Sequence, residues 1–304
     1  SLDRISRKLL GSEKMAVTIQ WFPGHMAKAI RQFEENLSLV DIVFEVIDAR
    51  IPLTSQNPEI RRISAQKPHL YIMTKRDLAD PKLTNQWLNY FAEHHQPAIA
   101  IDAKTKFGIN NVISVISPIL REKLQREQDK GMKKRPIRAI SVGVPNVGKS
   151  TVLNRLVNRR AAQVGNRPGV TKGQQWLTSD DKLELLDTPG ILWPKFSSQE
   201  VADKLALTGA IKESVFASDD VALFGLGRLR LLNPNGLKER YHLTDADFDL
   251  SDVDLLLEIT KKVCMRDDYE RGSNRIIQDF RSGKIGRFTL DDPEMVEDDA
   301  QTNN

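Results

Sequence analysis

The run Gly143-Val-Pro-Asn-Val-Gly-Lys-Ser150 constrains this chain more than any other stretch, because it sits between an apolar segment, Ile137 to Val142, and a helical pattern starting at Lys149. Two glycines, a lysine and a hydroxyl residue at this spacing form the P-loop pattern, and the strand-to-helix setting is the one its mechanism requires. The glycines let the backbone curl until successive N–H groups and the helix N-terminus converge on phosphate oxygens. Lys149 brings a positive charge to the terminal phosphates, and Ser150 offers a hydroxyl to magnesium. Asn146, Val147, Gly148 and Thr151 complete the cradle.

A loop of this kind hangs from a parallel sheet, and the upstream sequence supplies one. Val40 to Ile47 is apolar apart from Asp41 and Glu45, Leu70 to Met73 and Ala98 to Ile101 are shorter runs of the same type, and Leu183 to Leu186 follows the P-loop. Such continuous apolar runs read as strands buried on both faces. Thr84 to His94, with Thr84 as candidate N-cap, and Ile109 to Lys123 have helical spacing, so strands alternate with helices and an α/β sheet with right-handed crossovers is expected. After Pro194 the pattern is helical throughout, with breaks near Asn233 to Gly236 and Asp249 to Asp252. The expected organisation is an N-terminal extension at 1–14, set aside as an alternative start or an engineered remnant, a nucleotide-binding domain at 15–198, a helical C-terminal domain at 199–290 and an acidic tail at 291–304.

Charge adds a partner class. The net charge is +4, but the tail from Asp291 holds six acidic residues and no basic one, so residues 1–290 carry +10. A body this basic favours a polyanion such as RNA over a merely solvated surface. The single cysteine, Cys264, excludes an internal disulfide or a thiolate metal cluster and fits a reducing cytoplasm. No apolar run approaches the roughly 20 residues needed to span a bilayer, so no membrane partner is expected.

Further motifs surround the phosphate loop. Asp187-Thr-Pro-Gly190 ends the strand Leu183 to Leu186; Asp187 is placed to hold magnesium through water, and the Gly190 N–H to meet the terminal phosphate. Between the two lies Arg167-Pro-Gly-Val-Thr171, a glycine-containing loop whose threonine can complete the magnesium shell when the terminal phosphate is present, which is the logic of a nucleotide switch. Guanine is read in GTPases by the aspartate of an NKxD motif at a strand end. Thr74-Lys-Arg-Asp77 matches it apart from Thr74: Asp77 keeps the two acceptors, and the stem of Lys75 can cover the base beside Arg76. Ile101-Asp-Ala-Lys104 resembles the SAK motif, with Ala103 offering its N–H to the base carbonyl and Asp102 in place of serine. Both base motifs precede the P-loop, the reverse of the usual order. The motif order is rotated, with Glu122 to Arg138 as the joint between old termini.

These residues, together with Ile19-Gln-Trp-Phe-Pro-Gly-His-Met26, Asp48-Ala-Arg50 and the extended Asp187 to Phe196, resemble the circularly permuted GTPases of the YlqF/RbgA type, the ribosome biogenesis GTPase A family, over nearly all of Met15 to Asp291. The resemblance implies a P-loop GTPase fold with circularly permuted motif order and a small helical C-terminal domain. It also implies a cytoplasmic enzyme that uses GTP/GDP and Mg2+, binds a large ribosomal subunit precursor, contacts ribosomal RNA and acts late in assembly. In similar GTPases an asparagine at the position of Asn146 helps hold K+ against the phosphates, a cation that can neutralise charge in the transition state.

Catalysis needs a group that the usual position lacks, because Ile191 and Leu192 follow Gly190 where many GTPases carry a water-orienting glutamine. His25 is the candidate replacement, since imidazole can orient water or take its proton near neutral pH; Lys149 and Thr171 are the other catalytic candidates. Arg271, Arg275, Arg281, Lys284 and Arg287 punctuate the last helical stretch and read either as RNA contacts or as a solvated face. Two other readings stay open: a GTP-dependent RNA-binding scaffold with incidental hydrolysis, and an ATP-using P-loop enzyme or nucleotide kinase if Asp77 does not read the base.

Overall fold

The computed structural model describes residues 17–18, 24–102, 104–157, 176–179, 182–263, 266 and 268–296. Its centre is β2 (Ile42–Asp48), every residue of which is buried. That is the environment expected of a strand covered on both faces. β3 (His69–Thr74) and then β4 (Ala98–Ala100) are added in parallel on one side of it; β5 (Ile137–Gly143) and β7 (Leu183–Asp187) follow in parallel on the other, and β6 (Trp176–Ser179) closes that edge antiparallel to β7. The register pairs Asp48 with Thr74, Val46 with Gly143 and Ser141 with Asp187, so the ends of these strands lie along one rim. β2 and β5 are adjacent although β3 and β4 come between them in the chain. The chain therefore reverses its direction of sheet growth here, which is where α/β sheets open a ligand crevice.

Helices cover the sheet: α1 (Gly24–Asn36), α2 (Pro58–Ile63), α3 (Pro81–Glu93), α4 (Val112–Asp129) and α5 (Lys149–Leu156). The helix expected to begin at Thr84 starts at Pro81 instead. Asp80 is its cap, accepting from the Leu83 N–H, while Thr84 is buried within the first turns and donates to the Asp80 carbonyl. A proline at the first helical position and an aspartate before it are the stronger start signal. α4 runs on through Asp129 and takes in much of the expected joint. What closes the joint is charge. Buried Asp41, just before β2, accepts hydrogen bonds from Arg135 (2.7 and 2.8 Å), Lys123 (2.6 Å) and the Arg138 N–H (2.9 Å). Burial alone raises the pKa of this carboxyl, but those donors outweigh it and hold the group well below the usual carboxylate range.

After β7 a two-residue strand, β8 (Lys195–Phe196), pairs antiparallel with β1 (Val17–Thr18), and the chain turns helical. α6 (Gln199–Thr208), α7 (Ser218–Leu232), α8 (Pro234–Tyr241), α9 (Asp252–Lys262) and α10 (Tyr269–Ser282) follow, and a single buried apolar cluster runs from the sheet into them, from Ile42 and Leu153 to Leu205, Leu226 and Phe280. Among the described residues no helix is long and apolar enough to cross a membrane. The breaks expected near Asn233 and Asp252 are helix starts, capped by Asn233 and Ser251.

Asp291 corrects the sequence reading. Expected at the head of a separate acidic tail, it is 4% exposed and its carboxylate accepts from Leu53 N (3.0 Å), Thr54 N (2.8 Å), Thr54 Oγ1 (2.9 Å) and Lys204 Nζ (2.9 Å). The chain after α10 thus returns to the first domain, where charge-assisted hydrogen bonds to the carboxylate offset its desolvation. Residues 297–304 of the tail, residues 1–16 and Cys264 lie outside the described residues.

Candidate nucleotide site

A cleft of about 1100 Å³ opens at the rim between β5 and β7. Its wall is the P-loop from Val144 to Thr151, the turn Asp187 to Gly190, His25 and Gln32 of α1, and Ala210 and Lys212 beyond α6. The P-loop owes its shape to two positions with positive φ, Asn146 at 59° and Gly148 at 96°. Glycine serves at 148 because that backbone region is strained for residues with a Cβ. Lys149 is nearly buried and its ammonium contacts the Asp187 carboxylate and the Thr188 carbonyl. Thr188 in turn donates to the Ser141 carbonyl (2.7 Å), and the Ser141 hydroxyl donates to Asp187 (3.2 Å). The turn therefore rests on β5 itself. Gly190 is required for a different reason: a Cβ there would lie 2.8 Å from Pro145 Cα, so only glycine lets the turn reach the P-loop. Ile191 N–H then donates to the Gly143 carbonyl (2.9 Å); Ile191 and Leu192 are both buried, and Leu192 adds an apolar side chain to the cleft wall.

The end of β3 packs against the same loop. Thr74 Oγ1 donates to the Val147 carbonyl (2.5 Å) and Lys75 Nζ to the Asn146 carbonyl (2.7 Å). The threonine that departs from the usual asparagine thus still ties the base loop to the phosphate loop. Lys75 also lies 3.6 Å from Asp48, which Arg50 grips at 3.0 and 2.8 Å. Burial lowers the Lys75 pKa, with Asp48 opposing; burial would raise that of Asp48, but Arg50 and Lys75 bring it below its ordinary value. Asp77 is partly exposed, 3.2 Å from Lys104 Nζ, and the Arg76 guanidinium stacks 4.1 Å over the Phe107 ring. Asp102 is part of the turn that follows β4. It closes its own turn by accepting from Lys104 N (2.9 Å) and Thr105 Oγ1 (2.9 Å). Slight burial raises its pKa, and these bonds more than offset that. Ala103 and Thr171 lie outside the described residues, as does the loop Arg167 to Thr171.

The remaining candidates separate. Ser150 and Thr151 are exposed at the start of α5, and Ser150 faces the cleft with Asp187; a hydroxyl and a carboxylate are the hard oxygen donors that suit magnesium. Asn146 is exposed and donates its amide to the Gly209 carbonyl (2.8 Å), a link to the helical domain that local sequence does not signal. Thr188 and Ser141 also escaped the sequence reading, although Thr188 stands within the Asp187 to Gly190 motif. Of the five basic residues expected to contact RNA, Arg281 donates to the Ala206 and Leu207 carbonyls and to Glu213, and Arg287 to the Ala79 and Arg76 carbonyls. Each guanidinium thereby ties two segments of the chain together, since its several N–H donors can serve carbonyl oxygens that have a second lone pair to offer. Arg271, Arg275, Lys284 and Arg287 are exposed, with Arg275 3.4 Å from Asp279.

Comparison with known proteins gives the same picture. A family model described as a 50S ribosome-binding GTPase matches residues 138–268. The protein named Ribosome biogenesis GTPase A of Priestia megaterium is 47% identical over 287 residues, covering 92% of this chain and 99% of that protein. Its namesake in Bacillus pumilus is 45% identical over 282 residues, covering 91% and 100%. The crystal structure of GNP-bound YlqF from T. maritima superposes with a TM-score of 0.64 at 25% identity, covering 88% of this chain and 99% of that one.

Proposed function

The chain belongs to the ribosome biogenesis GTPase A family, and from that premise we propose that it hydrolyses GTP to GDP and phosphate while bound to a precursor of the large ribosomal subunit. The observation that carries this reading is the meeting of three motifs scattered along a rotated sequence: the base loop at Thr74 to Asp77, the P-loop and the turn at Asp187 to Gly190 share one rim and touch one another. A description as a 50S ribosome-binding GTPase for the matching model supports the large subunit as the partner.

In this reading Asp77 accepts from the guanine ring N–H and exocyclic amine, Lys75 covers the base, and the P-loop N–H groups with Lys149 hold the phosphates. Ser150 directly, and Asp187 through water, would hold Mg2+, with Thr171 as a further ligand; when bound, the ion neutralises charge on the phosphate oxygens. Asn146 has its amide nitrogen engaged, so Oδ1 is the atom a K+ ion would use. His25 lines the same cleft as Lys149 and Asp187, which supports it as the group that orients water. Neither Ile191 nor Leu192 carries a side-chain group that can hydrogen-bond water, which favours a polar neighbour for that role. Arg271, Arg275 and Lys284 form the exposed basic face offered to ribosomal RNA.

Competition of GTP and ATP for a fluorescent guanine nucleotide, followed by phosphate release with and without large-subunit precursor, tests the proposal. GTP winning by orders of magnitude and precursor-stimulated release are the expected results. Equal competition by ATP would remove the base assignment. Binding without stimulation would favour the scaffold.

A further inference from the structure

The loop that carries Asp77 is short of its own support. Between Lys75 and Asp80 its internal hydrogen bonds are Leu78 N to Lys75 O (2.9 Å) and Ala79 N to Arg76 O (3.2 Å), and Lys75 adopts a positive φ of 57°. On one face, Thr74 and Lys75 bind it to the P-loop. On the other it is held by residues from the far end of the chain. Arg287 donates from Nε to the Ala79 carbonyl (2.7 Å) and from Nη2 to the Arg76 carbonyl (2.8 Å), Phe288 N–H donates to the Leu78 carbonyl (3.1 Å), and Thr289 Oγ1 accepts from Asp80 N (3.0 Å). Leu78 itself packs against Gly283, where a Cβ would come within 2.7 Å.

The segment is anchored immediately beyond these contacts. Leu290 N–H donates to the Arg50 carbonyl (2.7 Å), the Asp291 carboxylate takes Leu53, Thr54 and Lys204, and the Asp291 carbonyl accepts from Trp87 Nε1 (2.9 Å). Trp87 and Asp80 belong to α3 and its cap, directly after the base loop. Arg287 to Asp291 thus spans the base loop from outside, fixed at one end by α10 and at the other by a buried carboxylate.

We infer that Arg287 to Asp291 is a positioning strap for nucleotide selectivity: it sets where the Asp77 carboxylate stands, and so how well the guanine amine is distinguished from its absence. The inference rests on reading Asp77 as the base-reading carboxylate. Arg287 and Asp291 do not touch the nucleotide; they act through the backbone of residues 76 to 80. A displaced carboxylate loses its bond to the exocyclic amine, which inosine lacks, while the phosphate cradle is untouched. The readout is therefore the ratio of Kd for inosine diphosphate to Kd for GDP, and not affinity alone.

The test uses the full chain and calorimetric or fluorescence titration with GDP, inosine diphosphate and inorganic tripolyphosphate. Arg287→Ala removes two bonds from an exposed side chain and should leave folding intact; Asp291→Asn weakens the anchor. Each should lower the ratio by about fivefold, the effect of about one hydrogen bond, with tripolyphosphate binding unchanged. Asp77→Asn is the reference for the base site itself. If Asp77→Asn lowers the ratio but neither strap variant does, the strap is overturned and the base reading stands. If Asp77→Asn leaves the ratio unaltered, the base reading falls and the strap with it. If Arg287→Ala weakens GDP, inosine diphosphate and tripolyphosphate alike, the segment is only a structural brace and the inference is overturned.

Discussion

Lys149 reaches the Asp187 carboxylate and the Thr188 carbonyl from a stem that is almost wholly buried, so its ammonium is held at the wall of the cleft. A positive charge at the terminal phosphates stabilises the negative charge that develops there in the transition state. Lys149→Met keeps the stem volume and deletes the charge; single-turnover hydrolysis should fall by about 10²- to 10³-fold, and a rate within twofold of the parent would remove Lys149 from catalysis. Residue-scale chemistry was only partly legible in the sequence. The P-loop and the Asp187 turn are local motifs whose backbone dictates their use. Thr74 was not: it looked like a defect in the base motif because its compensating partner, the Val147 carbonyl, is 73 residues away. Asp291 was obscured by its neighbours, since a run of acidic residues reads as solvated until the Thr54 and Lys204 donors are placed around it.

At the scale of elements, β2 was readable because burial on both faces leaves an almost unbroken apolar run. Its exception is Glu45, 1% exposed, with one carboxylate oxygen bonded to Asn57 N (2.9 Å) and the other without a partner. Burial raises its pKa from the ordinary 4.5 to about 7. The folded state holds this proton where the unfolded state has released it. The stabilisation is therefore complete below about pH 4.5, declines as pH rises toward 7, and is absent above. Glu45→Gln should abolish that decline and be about 3 kcal/mol more stable than the parent at pH 8; denaturant titrations at pH 5 and 8 check it, and parallel curves for the two proteins would refute it. In the helical domain, Gly225 of α7 faces Phe280 of α10, and a Cβ would sit 2.8 Å from the ring. Gly225→Ala should cost about 1–3 kcal/mol by overpacking, seen as a lower Tm with nucleotide affinity retained. β6 was missed because an antiparallel edge of four residues leaves too short an alternation to stand out.

Across the whole molecule the two expected domains share more than a linker. Arg50 donates to the Thr208 carbonyl (3.3 Å), Asn146 to the Gly209 carbonyl (2.8 Å), and Lys204 meets Asp291 (2.9 Å) within one continuous apolar cluster. The protein should therefore unfold in one calorimetric transition. Lys204→Ala, which breaks a buried pair at a cost of about 3–5 kcal/mol, should lower that Tm by several degrees without splitting the peak; two peaks in the parent would show that the halves fold independently. The rotated motif order was legible in the sequence, since the base motifs and the P-loop each carry a local signature whatever their order. The docking of the helical half was not legible, because the donors and acceptors that fix it stand 63 to 158 positions apart.

One such separation has a bearing on biosynthesis. Arg287 and the Arg76 carbonyl it holds are 211 positions apart. A nascent polypeptide exposes its base loop early and must be translated almost to Asp291 before the outer face of that loop can be covered, so the contacts made by Arg287, Phe288 and Thr289 are among the last that a newly made molecule can form.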